Sequence, residues 1–244
     1  MDTTVSTRAT MPKKFSQERY DQFIKEHNVV GLFAEPVRLK SGRLSSFYAN
    51  WRTVAEDVFL TEQLAYIVIN FVAGKGLHPD TFYGVPEGAT KLATLIQYLW
   101  AKQQPGYGEG SHALAMGRGK EKNYGMPKDR SFLGIPRGGV IVIEDTTTTG
   151  ESLIVEIKKL KEAGVNVIAA VCLMNRNEKT KDGKSVEEAL MELGVPLFSM
   201  SDALKVLPTL IATERPDQRI VTSLITEFNE FGVKPLILNV KRHE

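Results

Sequence analysis

The sequence predicts an α/β chain built around a parallel sheet, and three observations carry that prediction. A β-branched run at residues 140–143 is followed by a helical stripe at 151–163 and a second apolar run at 165–174. Strand, helix and strand of these lengths imply a right-handed crossover between parallel neighbours. Upstream of this unit the hydrophobic pattern already alternates between helical and extended periods. Finally, hydrophobic residues make up 42% of the 244 positions and charged residues 25%, a balance that supports a buried core of ordinary size.

Taken in order, residues 1–14 are polar, lack periodicity and read as a loose arm, with one domain expected over 15–244. Residues 15–30 read as a helix, since Phe15, Tyr20, Phe23 and Ile24 recur at near-helical spacing. A polar segment at 38–52 follows and contains the aromatic residues Phe47, Tyr48 and Trp51. Leu60, Leu64, Ile67, Val68, Phe71 and Val72 form a helical stripe closed by Gly74 and Gly76. Residues 81–85 are expected to be a strand, 90–101 a helix and 112–116 another strand. The stretch 117–139 is rich in glycine, lysine and arginine. It is too long for an ordinary connection, and so is expected to be functional or disordered. Beyond the central unit, 197–200 reads as a strand and 216–231 as a helix stopped by Gly232.

Composition narrows the function classes. The 31 basic and 29 acidic residues leave a net charge of +2, far from the basic excess of a dedicated nucleic-acid binder. Cys172 is the single cysteine and lies in an apolar run, so a buried structural thiol is expected rather than a nucleophile. The N-terminus lacks the apolar stretch of a signal peptide, and no run approaches the length of a membrane span. The expected setting is therefore cytoplasmic, without membrane or nucleic-acid partners.

The informative residues follow the run at 140–143: Glu144 and Asp145, then Thr146, Thr147, Thr148 and Thr149, then Gly150, Glu151 and Ser152. Open α/β sheets bind ligands at the carboxyl ends of their strands. There the N–H groups entering a helix and the helix dipole favour an anion, and threonine hydroxyls add donors. Glu144 and Asp145 would repel a phosphate, so their natural partners are sugar hydroxyls or a hydrated divalent cation. A ligand with hydroxyls flanked by phosphates satisfies both halves. A Walker-type loop is excluded because no Gly-Lys-[Ser/Thr] ending follows. Gly106, Gly108 and Gly110 imitate part of a dinucleotide fingerprint, but their flanks suggest a solvent loop.

This segment resembles the phosphoribosyl pyrophosphate signature of type I phosphoribosyltransferases: an apolar strand, two acids, small residues, then Thr-Gly. The resemblance implies that family's parallel sheet flanked by helices, with a small N-terminal hood over the site at about 15–52. It implies that Glu144 and Asp145 meet the ribose hydroxyls, and that residues 146–152 hold the 5-phosphate. Three further segments are similar to orotate phosphoribosyltransferases. In the first, Leu39 to Asn50, the resemblance implies that Lys40 contacts substrate. A planar carboxylate such as orotate suits a cation beside the aromatic residues Phe47 and Tyr48. In the second, the stretch with Arg118, Lys122 and Tyr124 resembles a mobile catalytic loop at about 117–139 that closes over the leaving pyrophosphate. In the third, Asn175-Arg176, the resemblance implies that Arg176 meets the orotate carboxylate, with Thr148 also in the base pocket.

Two departures stand out: Glu87 and Gly88 fall where the family commonly has a tyrosine–lysine pair. The loop also carries Gly119, with Lys120 adjacent, where a second lysine is usual, and Tyr124 where histidine is common. What the resemblance implies overall is a magnesium-dependent enzyme for orotate and phosphoribosyl pyrophosphate, with the metal held through substrate and water. It implies a homodimer with shared active sites. The residues alone leave open another nucleobase, or a phosphoribosyl-pyrophosphate-sensing regulator that binds nucleic acid.

Overall fold

The computed structural model describes residues 14–120, 122–124, 126 and 128–238. Apart from Lys14, the N-terminal arm therefore lies outside the described residues, as do Glu121, Gly125 and Pro127 of the long loop. Helix α1 (Gln17–Glu26) leads to an antiparallel hairpin of β1 (Val30–Arg38) and β2 (Leu44–Ala49). The single turn α2 (Arg52–Ala55) precedes α3 (Val58–Gly74), β3 (Thr81–Gly84) and α4 (Thr90–Ala101). Then come β4 (Met116–Gly117), α5 (Lys128–Ser131) and β5 (Phe132–Leu133). The chain continues with β6 (Gly139–Thr147), α6 (Glu151–Glu162), β7 (Asn166–Asn175), α7 (Val186–Met191) and β8 (Leu197–Ser199). Helices α8 (Ala203–Glu214) and α9 (Gln218–Phe231) follow.

Four parallel strands form the sheet in the order β3-β6-β7-β8. Its centre is β6, where Val140 to Ile143 are fully buried, as a strand covered on both faces requires. Alternate residues point to opposite layers. Val140, Val142 and Ala170 pack with Leu153, Ile157 and Leu160 of α6 and Val186 and Leu190 of α7. Ile141, Ile143, Ala169, Val171 and Leu173 face the layer that includes α1, α3, α4, α8 and α9. Thus α4 leaves β3 on one face while α6 leaves β6 on the other. Neighbouring strands whose helices diverge in this way leave a crevice at their carboxyl ends, where open sheets take ligands.

Several elements differ from the sequence expectations, each for a local reason. Helix α1 starts at its Ser16 cap, whose Oγ accepts from Arg19 N, and stops at Glu26. Val29 and Val30 are buried on the way into the hairpin instead of extending the helix. Residues 38–52 are not merely polar, since β2 occupies part of them. Strand β6 outruns its apolar core because Glu144, Thr146 and Thr147 continue the ladder against Cys172, Met174 and Asn175. The strand expected at 112–116 is regular only at Met116 and Gly117. Helices α7 and α8 were not anticipated. The first carries a Ser185–Glu188 capping box, a legible signal. The second holds Pro208 in its interior, which argues against a helix on propensity alone. Cys172 is fully buried, and burial raises its thiol pKa.

Candidate active site

The turn from β6 into α6 is built around Gly150, whose φ of 69° is left-handed. A Cβ there would come within 2.6 Å of Val186 Cγ1, so both conformation and space call for glycine. As the N-cap it supplies no side chain, and no side-chain cap bond closes α6. The first-turn N–H groups thus keep their capacity for an external acceptor. Beside them Thr149 is buried and Thr148 half-buried. Thr146 Oγ1 is buried and has no hydrogen-bond partner among the described residues, an unused hydrogen-bonding capacity that suits a ligand.

Two threonine-turn candidates point elsewhere. Thr147 is buried and its Oγ1 bonds Asn175 Oδ1 at 3.2 Å, inside the sheet. Glu151 turns outward to Lys181, 2.7 Å away. Ser152 does belong to the crevice, for its Oγ accepts from Lys40 Nζ at 2.9 Å. The hairpin lysine therefore reaches the phosphate turn across 112 residues of sequence.

Glu144 is 6% exposed and Asp145 half-buried. Asp145 N donates to Glu144 Oε1 at 3.3 Å, and Thr146 N donates to Asp145 Oδ1 at 2.6 Å. Burial first, then the neighbouring Asp145, hold the Glu144 carboxyl well above the usual carboxylate range, with Lys40 pulling weakly the other way. A buried acid next to a second acid favours its neutral form.

The departures at 87, 88 and 119 acquire a steric meaning. A Cβ at Gly88 would overlap the Asp145 carboxylate, and one at Gly119 would lie 2.8 Å from Glu87 Oε1. The loop backbone therefore passes beside Glu87 at the edge of the crevice. Its root is a short ladder of β4 on β5, extended by Arg118 N to Ser131 O at 3.0 Å and Lys122 N to Arg130 O at 3.1 Å. Lys122 Nζ sits 5.2 Å over the exposed Tyr124 ring. Beneath this root Tyr83 donates a short hydrogen bond to Glu156 Oε1, and a Cβ at Gly117 would collide with both groups. Sequence reasoning passed over Tyr83 and Glu156. The available signal was a carboxylate beside the apolar stripe Leu153, Ile157 and Leu160.

The hairpin end differs most from expectation. Arg176 is 1% exposed. Its Nε donates to Glu178 Oε1 at 2.7 Å, and its Nη2 donates to Glu227 Oε1 at 2.7 Å and to Ser45 Oγ at 2.8 Å. Its Nη1 donates to Phe47 O at 3.1 Å. The guanidinium lies 3.7 Å above the Phe47 ring, which also stacks with Phe228. Arg176 and Phe47 therefore face inward in this structure, where the resemblance implies a ligand-facing pair. The physical reason is the two buried glutamates, Glu178 and Glu227, neither of which sequence reasoning singled out. Tyr48, paired with Gly31 across the hairpin, stays half-buried.

A parallel sheet with helices on both faces, and a crevice of two acids beside an uncapped helix N-terminus, defines a type I phosphoribosyltransferase fold. Known proteins agree with that class. An orotate phosphoribosyltransferase of Methanosarcina mazei is 31% identical over 169 residues, covering 68% of this chain and 81% of the relative. Among solved structures, the orotate phosphoribosyltransferase of Francisella tularensis superposes with a TM-score of 0.63 at 19% identity, over 88% of this chain and 99% of that one. The Mycobacterium tuberculosis enzyme in complex with 5-phospho-alpha-D-ribosyl 1-diphosphate gives 0.53 at 18%, over 80% and 99%. No family model matches the chain. On the Methanosarcina relationship, the chain belongs to the orotate phosphoribosyltransferase family.

Proposed function

We propose that this crevice binds phosphoribosyl pyrophosphate and transfers its ribose 5-phosphate to orotate, giving orotidine monophosphate and pyrophosphate. The observation that carries the reading is the convergence, at one strand end, of the open α6 N-terminus, Glu144, Asp145 and Lys40. The 5-phosphate suits the N–H groups of that turn with Thr148, Thr149 and Ser152 around it. Glu144 and Asp145 take the ribose hydroxyls. Asp145 also faces the positive charge that grows at C1 as its bond to pyrophosphate breaks and its bond to orotate N1 forms. With Arg176 turned inward, Lys40 is the cation offered to the orotate carboxylate as well as to the phosphates. Arg118, Lys122 and Tyr124 meet the leaving pyrophosphate when the loop closes.

Among the described residues no three His, Cys, Asp or Glu side chains form a metal cage. The Glu144–Asp145 pair fits a magnesium ion that takes most of its oxygens from substrate and water. Such an ion, when bound, neutralises charge on the pyrophosphate. No helix among the described residues is long and apolar enough to cross a membrane, and we infer a cytoplasmic setting.

The deciding experiment supplies the protein with phosphoribosyl pyrophosphate, magnesium and a panel of bases, and follows pyrophosphate release. Release with orotate alone is expected. Release with uracil or a purine instead, or with no base, overturns the reading. We further infer a homodimer whose loops serve the partner's site. Lys122→Ala and Asp145→Asn chains, refolded together, should then regain roughly a quarter of wild-type activity through hybrid dimers. A mixture verified to contain hybrids, yet no more active than its parents, removes the shared site.

A further inference from the structure

We infer that Glu178 and Glu227 are positioning residues for Lys40, acting through Arg43 and Arg176. A continuous ladder of alternating charge runs from the last helix to the hairpin turn. Glu227 on α9 holds Arg176 at 2.7 Å, Arg176 holds Glu178 at 2.7 Å, and Glu178 Oε2 holds Arg43 Nη1 at 2.7 Å. Side bonds fix each rung. Ser45 Oγ donates to Glu227 Oε2 at 2.9 Å, and Arg43 Nη2 donates to Lys179 O at 3.1 Å while its guanidinium lies 4.4 Å over Phe231. The turn that begins after Leu39 is closed by Leu39 N to Arg43 O at 2.8 Å. Lys40 stands inside that closed turn and reaches Ser152. Where Arg43 is held therefore decides where the Lys40 ammonium can go.

The ladder's two arginines and two glutamates cancel in charge. A buried, neutral set of ion pairs is weak as a source of stability, because desolvation consumes most of the Coulombic gain. What it does supply is register, since each guanidinium is tied at once to separate acceptors and tolerates little displacement. An apolar plug would stabilise the hairpin about as well without fixing its angle. This inference rests on the proposed contact of Lys40 with phosphoribosyl pyrophosphate, and its test is separable from the question of orotate turnover.

The test is a double-mutant cycle between Glu178→Gln and Lys40→Ala, read as the dissociation constant for phosphoribosyl pyrophosphate with magnesium present. Each single change is expected to weaken binding about tenfold, and the double variant no more than about twofold beyond Lys40→Ala. With orotate, Glu178→Gln should raise KM for phosphoribosyl pyrophosphate about tenfold with kcat within about twofold. Independent, multiplying effects in the cycle, or an unshifted dissociation constant for Glu178→Gln, overturn the inference. If Glu178→Gln does not fold, Arg43→Lys keeps the charge, loses the fork, and runs the same cycle against the same outcomes. Binding that follows the cycle in a protein inert toward orotate upholds the ladder and removes the proposed reaction.

Discussion

The hairpin end and the phosphate-turn end of the site both concentrate charge, and they treat it in opposite ways. Around Arg176 each carboxylate meets a guanidinium, and the cluster is closed to solvent. Around Asp145 the acids lean on one another and on backbone N–H groups, one hydroxyl has no partner among the described residues, and the helix end has no side-chain cap. Polar groups satisfied within the protein define shape, whereas groups left partly unsatisfied define where a ligand belongs.

That contrast can be broken by experiment, and the largest expected effect lies at the closed end. Arg176→Ala should destabilise the fold by about 3–5 kcal/mol, because it leaves buried Glu227 without a guanidinium and Glu178 with Arg43 alone. Urea unfolding measures this, and a loss below about 1 kcal/mol would mean that the ladder is not closed in solution. At the open end the effect should fall on chemistry. Asp145→Asn is expected to lower kcat on the order of a hundredfold while leaving the unfolding midpoint unchanged. Activity within about threefold of wild type would take Asp145 out of the mechanism.

A third, smaller effect concerns protons. The Glu144 carboxyl titrates well above the usual glutamate value of 4.5 because it is buried beside Asp145. A raised folded-state value means that its neutral form favours folding. That contribution is fully present below about 4.5, the unfolded value, and is lost as pH rises through the raised folded value. Denaturant titrations across that window should show wild-type stability falling with pH and Glu144→Gln falling less. Parallel curves for the two proteins would refute the assignment. The smallest effect is expected at the rim, where Glu151 and Lys181 are 56% and 70% exposed. Glu151→Ala should cost less than about 1 kcal/mol, and a larger loss would show that the pair is more than a surface contact.

The parallel sheet was legible in the sequence because buried strands read as uninterrupted apolar runs, as residues 140–143 and 165–174 do. The phosphate turn was legible because its chemistry is contiguous, from Glu144 to Ser152. What stayed hidden is assembled from distant positions. Lys40 meets Ser152, Arg176 meets Glu227, and Gly119 lies against Glu87, none of them related by local period. Arg176 shows how the partners of a motif residue can lie outside the motif. Its place after the strand Asn166–Asn175 was visible, but the glutamates that turn it inward lie partly on α9, beyond the reach of any local pattern.

Cys172 carries a practical consequence. It is the sole thiol of the chain, its side chain is fully buried, and its Sγ is 2.9 Å from Met174 O. A folded molecule therefore offers maleimide reagents almost no native attachment point. A Met126→Cys substitution, at a loop position that is 62% exposed, would accept a single fluorophore while Cys172 stays in place. The loop's approach to the crevice thereby becomes an optical signal that can be timed on an otherwise unaltered protein.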